Sequence, residues 1–308
     1  MDFSLKKLIV LVGPTAVGKT GVAISVAKHF KTEIISADSR QIYRELAIGT
    51  AKPSEVELQQ VRHHFINSHS IHDEYDAAQF AEEALPLIYK LFEEHGYLVV
   101  CGGSGLYIKA LLEGFDNIPE VADEVRDQLI EEFEDKGLLW LQNKMRELDP
   151  DHFQKIDQKN PVRLMRALEI KMSTGKSISS FQTLAKREHP FKTVKIGLEL
   201  DRAELYKRID ERMDNMIKLG LFEEVCQLFP FRHLNALQTV GYREIFEYLD
   251  GQYDEDEAVR LLKRNSRRYA KRQLTWFKRD EEFVWFKPDQ VEEILFKIQN
   301  LLNDQANS

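Results

Sequence analysis

Leu8-Ile9-Val10-Leu11-Val12-Gly13-Pro14-Thr15-Ala16-Val17-Gly18-Lys19-Thr20 joins an apolar, β-type run directly to an octet of the form GxxxxGK[ST]. The run reads as a strand buried on both faces, and the residues after the octet read as a helix from about Lys19 to Phe30. Strand, glycine-containing loop and helix in immediate succession form a phosphate-binding unit. Gly13 and Gly18 allow the backbone to curl so that consecutive N–H groups point inward at an anion. The helix adds the positive end of its dipole. Lys19 supplies a mobile charge for the outer phosphate oxygens, and the Thr20 hydroxyl is placed to ligate Mg²⁺. The octet alone leaves ATP, GTP and other pyrophosphates open.

Working outward, Thr32–Asp38 is a second short strand ending in a carboxylate, followed by Ser39-Arg40-Gln41. Successive strand–helix–strand units imply a parallel sheet with ligands at the carboxyl ends of its strands. Asp38 therefore lands beside the phosphate loop, as a base, a metal ligand or a helix cap. His63, His64, His69 and His72 are not read as a zinc site, because adjacent histidines point apart and no Cys lies nearby. Asp76–Glu94 has the apolar spacing of an amphipathic helix. Tyr97–Cys101 is a further strand, opening into Gly102-Gly103-Ser104-Gly105, with Ser104 expected to cap the next helix. It ends without the Asp that an ATPase uses there to hold Mg²⁺.

From Phe115 the texture becomes helical, with breaks at Gly137, Asp149-Pro150, Asn160-Pro161 and Gly175 and no strand signal. Arg163 and Arg166 share one helix face. Thr193–Leu200 resumes the β pattern, and the helix after it carries Arg208 and Arg212 four apart. The fold expected is therefore α/β: a P-loop-type parallel sheet flanked by helices, with an all-helical insertion domain. The core is assigned to residues 1–114 and 193–308, the insertion to 115–192.

The chain has 308 residues and a net charge of −8, with 43% apolar and 31% charged residues. That composition suits a globular chain with a sizeable core. No apolar run approaches the roughly 20 residues of a membrane span. MDFSLKK has no signal-peptide pattern, so a cytoplasmic enzyme is expected. Cys101 and Cys226, both within apolar runs, read as buried thiols. The charge is uneven: Val259–Arg279 holds nine Lys or Arg and no acid, leaving −17 on the other 287 residues. A helix is expected over about Glu255 to Phe277. Leu261, Leu262, Tyr269 and Leu274 would be buried and the cations would face water. Aromatic residues among cations point to nucleic acid.

Taken together, GPTAVGKT, ADSRQIY, GGSGLYIKALLEGF, NPVRLMRALE, QTVGYRE and KRQLTWFKR resemble the tRNA dimethylallyltransferases, or tRNA isopentenyltransferases, from about residue 7 to residue 286. The resemblance implies transfer of a dimethylallyl group from dimethylallyl diphosphate to N6 of the adenine just 3′ of the anticodon in certain tRNAs. It also implies a requirement for Mg²⁺. The phosphate loop, Gly13 to Thr20, would then hold a diphosphate that leaves, and the missing strand-end Asp is no puzzle. Asp38 matches the family's general base. A family arginine on the diphosphate is placed at Arg212, with Arg208 as second choice. Residues Asp38, Ser39, Arg40 and Gln41 match the stretch that touches the target nucleotide. Gln41 would read the base edge, and Arg40 is given no role of its own.

By the same resemblance, Ser104 and Arg126 border the tRNA, and Val162, Arg163, Leu164, Met165 and Arg166 form another contacting stretch. Arg267, Arg268, Lys271 and Arg272 would grip the anticodon stem. The partners implied are the tRNA anticodon stem-loop and dimethylallyl diphosphate, with no membrane and no obligate protein partner. The rival, a small-molecule kinase with Asp38 deprotonating a hydroxyl, leaves the basic stripe unexplained.

Overall fold

The computed structural model describes residues 3–114, 118–119, 121–181 and 187–303. The change of texture read at Phe115 and the fraying read for residues 305–308 lie outside them. The first half runs β1 (Lys7–Val12), α1 (Lys19–His29), β2 (Ile34–Ser36), α2 (Glu55–Gln60), β3 (His63–His64), α3 (Ala77–Glu94), β4 (Tyr97–Gly102) and α4 (Gly105–Glu113). It continues through α5 (Asp123–Leu148), α6 (Pro150–Phe153) and α7 (Pro161–Thr174). The remainder is β5 (Lys192–Leu198), α8 (Arg202–Lys218), α9 (Leu221–Leu228), α10 (Arg243–Leu249), α11 (Glu255–Phe277), β6 (Val284–Phe286) and α12 (Val291–Asn303). No described helix is long and apolar enough to cross a membrane.

The strands form one parallel sheet in the order β3-β2-β4-β1-β5-β6. β1 lies between β4 and β5, and Leu8 to Val12 are fully buried. Their alternation explains why: Leu8, Val10 and Val12 enter the core on one face, Ile9 and Leu11 the core on the other. The chain fills the β4 side of β1 first and the β5 side later, so the end of β1 is a topological switch point, where crevices form. The register sets Val12 beside Gly102 and Gly197, which brings the turns after β1 and β4 to one edge. The two-residue strand β3, paired with β2, was not foreseen; it is too short to give a periodic signal.

The chain divides into two compact units, Met1–Leu112 with Glu188–Ser308, and Glu113–Arg187. The second ends earlier than residue 192 because Phe191 packs into the first unit's core, against Phe92. Its described helices break at the expected points. Gly137, at φ 71°, kinks α5, Asn160 caps α7 with Pro161 in its first turn, and Gly175 ends α7 in the left-handed region. Leu129, Leu141, Met145, Phe153, Leu164 and Leu168 form this unit's own core.

Neither thiol is fully buried as expected: Cys101 is half-buried and Cys226 is exposed. The apolar run around Cys226 is an amphipathic helix whose Leu221, Val225 and Leu228 face inward, which leaves Cys226 exposed.

Candidate active site

A cavity of about 380 Å³ opens at the carboxyl edge of the first unit's sheet, lined by Lys19, Thr20, Asp38, Gln41, Arg212 and Tyr269 among others. Gly18 caps α1 at φ 104°, a conformation that side chains resist, and so turns the loop into the helix. Lys19 Nζ donates to the carbonyls of Gly13 at 3.0 Å and Pro14 at 2.8 Å. Burial lowers its pKa to about 8, against the raising influence of Cys101 and Asp38. The Thr20 hydroxyl makes no hydrogen bond among the described residues.

Asp38 follows β2. Its Oδ1 accepts the N–H groups of Arg40 at 3.0 Å and Gln41 at 3.3 Å. No helix follows Asp38, so it is not the helix cap considered from sequence; Oδ1 caps a turn instead, while Oδ2 makes no hydrogen bond among the described residues. Ser104 differs from expectation. Its hydroxyl accepts the Ser39 N–H at 2.9 Å and donates to Ser39 Oγ at 3.1 Å, tying the ends of β2 and β4 rather than capping α4. Gln41 Nε2 donates to the carbonyls of Thr50 at 3.2 Å and Ala51 at 3.1 Å. Its amide orientation is therefore forced, and only Oε1 is left for a base.

The two arginines of α8 separate cleanly. Arg208 lies on the outer face, paired with Glu204 at 2.7 Å. Arg212 lines the cavity, its Nε buried without a partner among the described residues. Burial lowers its pKa, and Asp38 counters that. Tyr269 also reaches the cavity, its hydroxyl pushed up to about 12 by burial and then by Asp38. The sequence placed Tyr269 on the buried side of the basic helix; no local signal placed it in this cavity.

Helix α11 is less open than expected. Ala258, Leu262, Ser266, Ala270, Gln273 and Phe277 form its buried face; Leu261, Tyr269 and Leu274 are half-buried beside it, and Leu274 packs against the core. Lys263 pairs with Asp214 at 2.5 Å and Arg267 with Asp210, both on α8. Arg267 thus has an ion-pair partner within the fold, unlike the other cations expected in an RNA grip. Arg268, Lys271 and Arg272 are exposed and make no ion pair among the described residues.

In the second unit, the buried carboxylate of Glu169 takes Arg126 at 3.5 Å and Arg166 at 3.0 Å. Val162 and Arg163 are exposed and Met165 is partly buried. Leu164 has no exposed surface and sits in the unit's core. It is withdrawn from the expected RNA-contacting stretch, because helical periodicity turns it inward.

The IPP transferase family model matches residues 41–280. A tRNA dimethylallyltransferase of Cytophaga hutchinsonii is 52% identical over 304 residues, 99% of this chain and 100% of that protein. tRNA dimethylallyltransferase 1 of Bacteroides thetaiotaomicron is 48% identical, over 96% of each chain. Among solved structures, the full-length tRNA isopentenylpyrophosphate transferase of Bacillus halodurans superposes with a TM-score of 0.72 at 37% identity, covering 98% of each chain. A eukaryotic dimethylallyltransferase acting on tRNA matches with a TM-score of 0.70 at 27% identity, covering 88% of this chain and 70% of that one.

Proposed function

The chain belongs to the IPP transferase family, and from that membership we propose how its cavity transfers a dimethylallyl group from dimethylallyl diphosphate to N6 of the adenine 3′-adjacent to the anticodon of certain tRNAs. The N6 lone pair attacks the allylic carbon, the carbon–oxygen bond to diphosphate breaks, and N6 loses a proton.

Charge accumulates on the leaving diphosphate, and its stabilisation is the main electrostatic task. Lys19, the N–H groups of the loop Gly13 to Thr20 and Arg212 carry it. The observation that supports this most is Arg212: a buried guanidinium with an unpartnered Nε, in the cavity that the phosphate loop lines. Such a group gains most when an anion arrives. Asp38 is the general base, and its Oδ2 is left to take the N6 proton.

A hard divalent cation suits the uncommitted Thr20 hydroxyl, an oxygen donor lining the cavity; Mg²⁺ held there would supply Lewis-acid assistance to the leaving group. Chemistry on a ring amine needs the base out of its stack, so a flipped adenine enters the cavity against Asp38 and Gln41. Arg268, Lys271 and Arg272 grip the anticodon-stem backbone. Val162, Arg163 and Arg166 with Arg126, and Ser104, border the tRNA. This reading includes a cytoplasmic setting, where its substrate is found.

Purified protein with radiolabelled dimethylallyl diphosphate, unmodified tRNA and Mg²⁺ is expected to transfer label to tRNA. Phosphate release from ATP, with no label moving, would favour a kinase instead.

A further inference from the structure

Gln273 lies one helical turn beyond Tyr269 on α11 and is only 7% exposed. Its Oε1 accepts the Thr15 N–H at 2.8 Å, and its Nε2 donates to the Gly103 carbonyl at 2.9 Å. A backbone N–H can only donate and a carbonyl can only accept, so this amide orientation is chemically fixed. The approach depends on Gly103 having no side chain, since a Cβ there would lie 2.4 Å from Gln273 Nε2. One turn further along α11, the Trp276 ring lies against Gly105 in the same way. A single buried amide thus joins three things: the phosphate loop, the turn that carries Ser104, and the helix that carries Arg268, Lys271 and Arg272.

We infer that Gln273 is a positioning residue, which holds the diphosphate loop in its binding shape by tying Thr15 to the Gly103 turn through α11. The inference rests on the diphosphate role of the loop argued above. Gln273 touches backbone only, so its effect reaches the reaction through the loop. With an apolar side chain at 273, the Thr15 N–H and the Gly103 carbonyl lose their partners in a buried place, and the loop must move to satisfy them. Diphosphate binding suffers first, and RNA binding on the exposed face of α11 is spared.

The test compares wild type, Gln273→Leu and Gln273→Glu for kcat, for KM of dimethylallyl diphosphate, and for dissociation constants of inorganic pyrophosphate and of tRNA. Gln273→Leu is expected to raise both the KM and the pyrophosphate constant about tenfold, with the tRNA constant changed less than about twofold. Gln273→Glu keeps an acceptor for Thr15 but turns an oxygen toward the Gly103 carbonyl, and it regains a donor only when protonated. Its KM relative to wild type should therefore improve as pH falls from about 8 to about 6. Lys19, Asp38, Arg212 and Tyr269, which line the same cavity, are shared by both enzymes, so the ratio isolates position 273. A wild-type KM and pyrophosphate constant in Gln273→Leu would overturn the inference. So would equal losses in every constant including tRNA, or a Gln273→Glu ratio indifferent to pH. A wild type that transfers no label would overturn the functional reading instead, and the pyrophosphate constants would still decide the role of Gln273.

Discussion

The Tyr242 hydroxyl donates to Glu224 Oε1 at 2.6 Å, and the same carboxylate accepts the N–H groups of Ala47, Ile48 and Gly49 at 3.2, 2.7 and 3.0 Å. Burial, then the charge of Glu224, raises the pKa of that phenol, so it stays a donor. The loop so fastened is the one whose Thr50 and Ala51 carbonyls orient Gln41. Glu224→Ala leaves three N–H groups and a buried phenol unserved. A loss of about 1–3 kcal/mol in urea unfolding is expected, with a several-fold rise in KM for tRNA. Stability that falls without any change in that KM would remove the loop from the base-reading wall.

Arg208 and Arg212 should part company in kinetics. Arg208 holds an exposed i,i+4 pair with Glu204, a contact worth about 0.3–0.5 kcal/mol, so Arg208→Ala should leave kcat within about twofold. Arg212→Ala removes a donor whose Nε is buried and unpartnered in the cavity; in the leaving-group role proposed for it, kcat should drop about 10²–10³-fold. Single-turnover rates of the two variants decide the matter; an Arg212→Ala rate no lower than that of Arg208→Ala would take Arg212 off the leaving group.

Much of this was legible in sequence because it is local. The run Leu8 to Val12 and the octet after it mark a buried strand, a loop and a helix start within thirteen residues, and the central place of β1 follows. Asp38 could be placed because parallel topology puts strand ends on one edge. What stayed hidden depends on partners distant along the chain. A spacing of four puts Arg208 and Arg212 on similar faces, and only the fold sets Arg212, and not Arg208, in the cavity. Nothing local reports that Gln273 meets Thr15, or that Asp210 pairs with Arg267 of the basic stripe. Leu164 is the opposite case: its helical phase was readable, and a contiguous contact stretch overrode it.

Lys19 should give the reaction an alkaline limb. Burial brings its pKa from 10.5 to about 8 in the free protein, so the charge proposed to meet the diphosphate is lost as pH rises through that value. The kcat/KM for dimethylallyl diphosphate should fall above about pH 8, while kcat holds to higher pH because a bound anion raises the lysine again. The folded protein binds fewer protons here than the unfolded chain, so this site's contribution to stability grows as pH climbs from about 8 to 10.5. Lys19→Met should accordingly bind the diphosphate poorly yet unfold at higher urea near neutral pH. A pH profile of kcat/KM that is flat to pH 10 would separate Lys19 from the diphosphate.

Asp38→Asn is a cleaner probe than Asp38→Ala. Asparagine can still accept the N–H groups of Arg40 and Gln41, so the turn after β2 keeps its cap, and only the basic oxygen is lost. The single-turnover rate should fall about 10²–10⁴-fold with tRNA affinity nearly unchanged. If tRNA binding disappears with the turn intact, Asp38 serves recognition rather than proton transfer.

The cations of α11 divide by their partners, and salt dependence reads the division. Each Lys or Arg that neutralises an RNA phosphate contributes about 0.7–0.9 to the slope of log K against log salt. Arg268, Lys271 and Arg272 are exposed without ion pairs among the described residues, so replacing all three by Ala should flatten that slope by about 2. Arg267 is held by Asp210 and stacks over Tyr206 at 5.9 Å, so its charge is already neutralised. Arg267→Ala should leave the slope within error and instead lower stability, because Asp210 then loses its partner. Both measurements are needed on both variants: a slope that responds to Arg267 alone would mean the Asp210 pair opens to RNA, and α11 would then meet the tRNA with its α8-facing side.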